Sequence, residues 1–151
     1  MPGLVLAQAW PAARVTLLDA GQRRTEHLEA AVRDLGLGHR VDVVDGRAEA
    51  VTRDPGHRAR YALVVARGFG PPAVTAECAV GFLRPGGALV VSEPPGGDDR
   101  WPADVLATLG LRLARRSGPH ERAFVELVCE AGPPARWPRR NGVPAKRPLW
   151  T

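Results

Sequence analysis

Charged residues follow the predicted strands closely, near the positions where each strand ends. They are Asp19, Asp45, Glu49, Arg67 and Glu93. In an open α/β sheet, ligands bind beyond the carboxyl ends of the strands. A carboxylate there can accept two hydrogen bonds from ribose hydroxyls, and Asp19 is placed for that role. Asp45 or Glu49 could contact an adenine ring, and Arg67 could hold a carboxylate or a phosphate.

Each of these residues also has a purely structural explanation. Asp19 could cap the helix that follows it. Asp45 and Glu49 could be solvated turn acids, and Arg67 could form a surface ion pair. The residue types and their spacing leave both interpretations open.

Several motifs of catalysis and metal binding are absent from the sequence. It contains no G-x-S-x-G motif for a nucleophilic serine and no C-x-x-C or H-x-x-x-H spacing for a metal ion. It also lacks a complete G-x-G-x-x-G and a phosphate-binding G-x-x-x-x-G-K-[ST]. We therefore predict neither a catalytic side chain nor a metal site.

The excess positive charge lies at the C-terminal end. Lys and Arg total 21 and Asp and Glu total 16, which gives a net charge of +5. Residues 131–151 contain no acid and five cations, namely Arg136, Arg139, Arg140, Lys146 and Arg147. The preceding residues carry 16 charges of each sign. A basic, proline-rich segment of this kind is typical of an arm that faces an anion. A strap packed over the edge of the sheet is the alternative.

Length and composition indicate one folded domain. The chain has 151 residues, of which 44% are hydrophobic and 25% charged. We assign residues 1–130 to an α/β domain and residues 131–151 to a basic tail. No apolar run approaches the ~18–20 residues of a membrane helix, and the first ten residues do not resemble a signal peptide. Two distant cysteines form no disulfide framework, so we expect a cytoplasmic protein.

Strands and helices alternate along the chain. Strands are predicted at Arg14–Leu18, Val41–Val44, Tyr61–Ala66, Ala88–Ser92, Leu111–Arg115 and Ala123–Glu130. Helices are predicted at Arg23–Leu35, Ala48–Arg53, Ala73–Leu83 and Pro102–Leu109, with turns at Arg84–Gly87 and Ser117–Pro119. The alternation indicates a doubly wound α/β sheet closed by an antiparallel hairpin. Tyr61–Ala66 is apolar throughout, as in a parallel strand covered on both faces.

Several segments together resemble one family. They are Pro2–Ala7 with Trp10-Pro11, Val15–Asp19, Arg23–Leu28, Val41–Glu49, Leu83–Gly87 and the tail Trp137–Leu149. The tail, which reads WPRRNGVPAKRPL, is the most specific of them. This set is similar to the RsmG/GidB family, whose members methylate a guanine N7 of 16S rRNA with S-adenosylmethionine.

The resemblance implies a class I methyltransferase fold of Rossmann-like type. It implies cofactor contacts at Ala48, Glu49 and Arg67, with Asp19 near the ribose. The expected partner is 16S rRNA or the small ribosomal subunit, and the expected state is a monomer without metal or membrane. The tail cations would hold rRNA phosphates, and Trp137 or Trp150 could stack on a base.

Two departures from the family pattern define the alternatives. The family's first strand and glycine-rich loop would precede Met1, so we expect both to be missing and two strands to lack a partner. A truncated, inactive RNA-binding remnant is then one alternative. Ser92–Pro95 stands where the family's rRNA enzymes usually carry a Lys-Gly pair. The second alternative is therefore a methyltransferase that acts on a small molecule.

Overall fold

The computed structural model describes residues 2–94, 100–117 and 123–151. The chain divides into two compact units, Met1–Ala48 and Glu49–Thr151. The tail residues belong to the second unit. The expected division at residue 130 into a domain and a tail stays a prediction.

The first unit is a two-stranded parallel sheet with two helices. Its elements are α1 (Pro2–Ala9), β1 (Val15–Asp19), α2 (Gln22–Asp34) and β2 (Val41–Asp45). The strands pair in register from Val15 opposite Val41 to Asp19 opposite Asp45. Leu28 and Val32 of α2 are four residues apart, so they share a helix face, and both are buried. The predicted strands and helix are confirmed here, whereas α1 was not predicted.

The second unit is a mixed four-stranded sheet. Its elements are α3 (Ala48–Val51, which begins one residue before the boundary), β3 (Tyr61–Ala66), α4 (Pro72–Val80), β4 (Leu83–Ser92), α5 (Ala103–Thr108), β5 (Leu111–Ser117), β6 (Phe124–Cys129) and α6 (Val143–Lys146). The strand order is β3-β4-β6-β5. β3 and β4 are parallel, and β6 runs antiparallel to both β4 and β5. The predicted closing hairpin is therefore confirmed; its predicted turn from Gly118 onward lies outside the described residues.

Among the described strands, β3 lies at the edge of its sheet, contrary to the expectation of burial on both faces. It pairs with β4, and none of its six residues is buried. β1 likewise pairs with β2 alone among the described strands. Both observations agree with the expectation that two strands lack a partner on one side.

The predicted turn at Arg84–Gly87 lies inside β4. Tyr61 is opposite Leu83 and Leu63 is opposite Ala88, so β4 uses three extra residues at this point. Gly86 has φ +75°, and a Cβ on Gly87 would lie 2.9 Å from the carbonyl oxygens of Arg84 and Tyr61. The two glycines let the strand bulge and then rejoin β3.

Candidate functional site

Asp19 ends β1, and its carboxylate closes the turn that leads into α2. Oδ1 accepts hydrogen bonds from the backbone N–H of Gly21 at 2.9 Å and from Nε of Arg24 at 2.7 Å. The Asp19 side chain is 18% exposed. An ionised carboxylate has about four acceptor positions, so these bonds leave room for a ligand hydroxyl. The ribose role of Asp19 stays a prediction. Asp45 is exposed at the end of β2.

Ala48 and Glu49 open α3, and both are 6% exposed. The Glu49 side chain is not a solvated turn acid, because its Oε1 accepts a hydrogen bond from the backbone N–H of Gly142 at 2.9 Å. This bond joins α3 to the tail. A cofactor contact at Ala48 and Glu49 stays a prediction.

Arg67 follows β3 in an exposed loop. Gly68 has φ +62°, a conformation that favours glycine, and every residue from Arg67 to Gly70 is exposed. Glu93, after β4, is 8% exposed and accepts a hydrogen bond from Arg100 Nη1 at 3.2 Å. Arg67 is therefore open to a ligand from solvent, whereas the Glu93 carboxylate has a protein partner. The cofactor contact predicted for Arg67 stays a prediction.

Glu77 is a buried carboxylate that the sequence analysis did not single out. It lies in α4, where every residue from Ala73 to Val80 is buried, and its own exposure is 0%. Its Oε1 accepts hydrogen bonds from Arg139 N at 2.9 Å and Nε at 2.8 Å, and its Oε2 from Arg139 Nη2 at 2.7 Å. These bonds compensate the buried charge. A single acid within an otherwise apolar helix was the signal in the sequence that could have identified Glu77.

Tryptophan and arginine side chains hold the tail against the second unit. Trp137 is 8% exposed and donates from Nε1 to the carbonyl oxygen of Thr108 at 2.8 Å. Arg58 donates to the carbonyl oxygens of Trp137 at 3.0 Å and Pro134 at 3.1 Å. The Arg136 guanidinium lies 5.0 Å from the centre of the Trp137 ring system. The suggestion that Trp137 is available to stack on a base is therefore wrong, because the protein covers it.

The five tail cations fall into two groups. Arg139 is bound to Glu77, and its side chain is 27% exposed. The other four are exposed at the surface, namely Arg136, Arg140, Lys146 and Arg147. The tail is therefore packed as a strap, and four of its five cations are exposed. RNA contact by all five stays a prediction.

The buried carboxylates also shape the chemistry of Cys78. Burial first, and then the charges of Glu49 and Glu77, raise the pKa of Cys78 to about 12. The hydrogen bond to Glu77 raises the pKa of Arg139. Cys78 is therefore a protonated, inert thiol at neutral pH, and Arg139 is fully charged. Within the described parts of the chain, no group of three or more His, Cys, Asp or Glu could hold a metal ion, and no helix is long and apolar enough to cross a membrane.

Solved structures show the class of the fold. A variant of the 16S rRNA (adenine(1408)-N(1))-methyltransferase from Catenulisporales acidiphilia matches with a TM-score of 0.64 at 17% identity, over 88% of this chain and 80% of that one. The O-methyltransferase NcsB1 of neocarzinostatin biosynthesis, solved with S-adenosylmethionine, matches with a TM-score of 0.62 at 19% identity, over 82% of this chain and 44% of that one. The predicted class I methyltransferase fold is confirmed.

Sequence comparisons identify the family as well as the fold. Ribosomal RNA small subunit methyltransferase G of Rubrobacter xylanophilus is 37% identical over 160 aligned residues, which cover 99% of this chain and 61% of that protein. The chain spans about three fifths of the length of the curated relatives it matches. The family model for rRNA small subunit methyltransferase G (GidB) matches residues 1–93. This chain belongs to the rRNA small subunit methyltransferase G family.

Proposed function

We propose that this protein is an S-adenosylmethionine-dependent methyltransferase that modifies a guanine N7 of 16S rRNA. Family membership carries the proposal. The outward-facing tail cations support it, because RNA phosphates require compensating positive charge. The fold, shared with a methyltransferase solved with S-adenosylmethionine, supports the choice of cofactor.

Each residue predicted to contact the cofactor offers a chemical group suited to one part of it. S-adenosylmethionine supplies an electrophilic methyl group. Asp19 has unused acceptor positions for ribose hydroxyls, and Ala48 and Glu49 offer backbone groups at the start of α3. Arg67 is exposed and can pair with the carboxylate of the methionine moiety.

Methyl transfer to guanine N7 makes modest demands on the protein. N7 carries an exposed lone pair, so no proton has to leave before it attacks a methyl group. The protein then needs no general base, and the rate comes from holding the two reactants in line. This agrees with our prediction that no side chain acts as a catalyst. The tail cations serve the same end, because they fix the RNA relative to the bound cofactor.

Methyl transfer to small ribosomal subunits tests the proposal. Subunits from a strain without the guanine methylation would be incubated with tritiated S-adenosylmethionine and the protein. Two forms are compared: this chain, and this chain joined to the part of the Rubrobacter relative that it does not cover. We expect the joined form to transfer label to a guanine N7 of 16S rRNA. Chemical cleavage at 7-methylguanosine would identify the labelled base.

Two results would count against the proposal. Label that appears at another base would contradict the guanine assignment. Cofactor binding by the joined form without any transfer to RNA would favour the inactive RNA-binding remnant. Arg67→Ala in the joined form should reduce transfer, and Arg84→Ala, which removes the same charge at another exposed arginine of the second unit, serves as the matched control.

A further inference from the structure

Two buried carboxylates accept hydrogen bonds from residues of the tail. Glu77 of α4 receives three hydrogen bonds from Arg139, all between 2.7 and 2.9 Å. Glu49 of α3 receives one from the backbone N–H of Gly142 at 2.9 Å. Arg139 also donates from Nη2 to the carbonyl oxygen of Arg147 at 2.7 Å, which links both ends of the segment 139–147. Since a buried carboxylate without a partner is costly, these bonds fix the path of the tail.

The segment 139–147 contains both inward anchors and outward charges. Pro144 is buried, and Gly142 adopts φ +76° just before α6, a conformation that places its N–H on Glu49. The cations that face outward are Arg140, Lys146 and Arg147. The neighbours Arg139 and Arg140 therefore lie in different environments. Arg139 is bound to a carboxylate, whereas Arg140 is in solvent.

We propose that Glu77 and Glu49 are positioning residues for RNA binding, which hold the tail so that Arg140, Lys146 and Arg147 face the RNA as a preorganised set. Arg139 is then an anchor and not a phosphate contact. The inference rests on the proposed function, since it assumes that RNA is the partner of the tail. A cation set held in place loses less conformational entropy on binding than a free arm does, so the anchors act on affinity through the tail.

Glu77→Gln in the full chain tests the proposal through the direction in which RNA affinity changes. Removing a negative charge from an RNA-binding protein ordinarily strengthens RNA binding. The anchor account predicts the opposite, a Kd for a labelled 20-nucleotide single-stranded RNA that rises about tenfold. Glu130→Gln is the matched control, because Glu130 makes an exposed ion pair with Arg112 in the same unit and the charge change is equal. This control should bind as tightly as the parent or more tightly.

A second pair of variants serves if Glu77→Gln unfolds. Arg140→Gln should lower the salt dependence of binding, log Kd against log salt, by ~0.7, the amount expected per phosphate contact. Glu77→Gln combined with Arg139→Gln removes both charges and leaves no buried carboxylate unpaired, and this double variant should weaken binding without that loss of slope.

Three results overturn specific claims. Two results would overturn the anchor account alone: RNA binding by Glu77→Gln as tight as that of the parent, or a loss of slope in the Glu77→Gln, Arg139→Gln double variant as large as that in Arg140→Gln. A parent chain that binds no RNA would overturn the proposed function and the inference together.

Discussion

At the residue scale, the tail shows why charge counting cannot assign roles. Arg139 and Arg140 are adjacent and chemically identical, yet Arg139 is held by Glu77, 62 positions earlier in the chain. No local pattern encodes a partner at that distance. The sequence supports the statement that the tail is basic, and only the packing divides its cations into an anchor and an exposed set.

The residues predicted to contact the cofactor illustrate the same limit. Family resemblance selects Ala48 and Glu49, and the structure adds that the Glu49 side chain is buried under Gly142. Sequence patterning left Glu49 open as a solvated turn acid, because the tail that covers it is remote in sequence. Arg67, by contrast, is exposed, and its role stays as open as the sequence left it.

Replacing Glu49 by Ala should destabilise the protein and loosen the tail. The N–H of Gly142 would lose its acceptor, which costs about 1–3 kcal/mol in the free energy of unfolding. Urea unfolding measures this, with Glu130→Ala as the control because its carboxylate is exposed. Equal stability of the two variants would show that the bond to Gly142 contributes nothing.

The stability of the protein should fall in alkali because of Cys78. Burial raises the pKa of Cys78 from its ordinary value near 9 to about 12. Between these values the unfolded chain loses a proton that the folded chain keeps, so the unfolded state binds fewer protons. The contribution of Cys78 to stability is therefore constant well below pH 9 and declines as pH rises from 9 toward 12, by at most about 1.4 kcal/mol per pH unit.

Urea unfolding between pH 8 and 11 checks this expectation against Cys78→Ala. The variant has a cavity cost that does not depend on pH, so the parent should lose more stability than the variant across this range. Parallel pH profiles of the two proteins would contradict the raised pKa.

At the element scale, long periodic or β-branched segments were predicted well. β1, α2, β2 and β3 lie within one residue of their predicted bounds, because alternation and helical spacing reflect which face is buried. α1 and α6 were missed. α1 is an apolar helix without a polar face, and α6 is one turn held by its contacts, so neither has a periodic pattern.

The bulge in β4 shows how glycine chemistry can mislead. An R-P-G-G sequence is typical of a turn, and here it forms three extra residues within a paired strand. The pairing of β4 with both β3 and β6 determines this outcome, and such long-range pairing has no local signal.

Gly87→Ala should therefore destabilise the second unit. The added Cβ would lie 2.9 Å from two backbone oxygens, and relieving such contacts costs about 1–3 kcal/mol. Gly70→Ala is the control, since its Cβ would meet Val74 at an ordinary 3.6 Å. Thermal unfolding should show a lower Tm for Gly87→Ala alone. A Tm equal to that of Gly70→Ala would mean that β4 can shift to accept the methyl group.

At the scale of the whole molecule, charge and packing together support an RNA-binding role. Residues 1–130 carry balanced charge, and the tail supplies the excess of five cations. The tail is also bound to the second unit through Trp137, Arg139 and Gly142. The molecule thus combines a methyltransferase fold with a tail that is held in place and carries exposed positive charge.

The salt dependence of RNA affinity tests this account most directly. Arg140, Lys146 and Arg147 would be replaced together by Gln, and the control would lose the same charge at three exposed arginines outside the tail, Arg23, Arg33 and Arg84. The account predicts that the tail variant lowers the slope of log Kd against log salt by about 2, from ~0.7 per phosphate contact, while the control changes it little. An equal slope in the parent and the tail variant would contradict RNA binding by the tail.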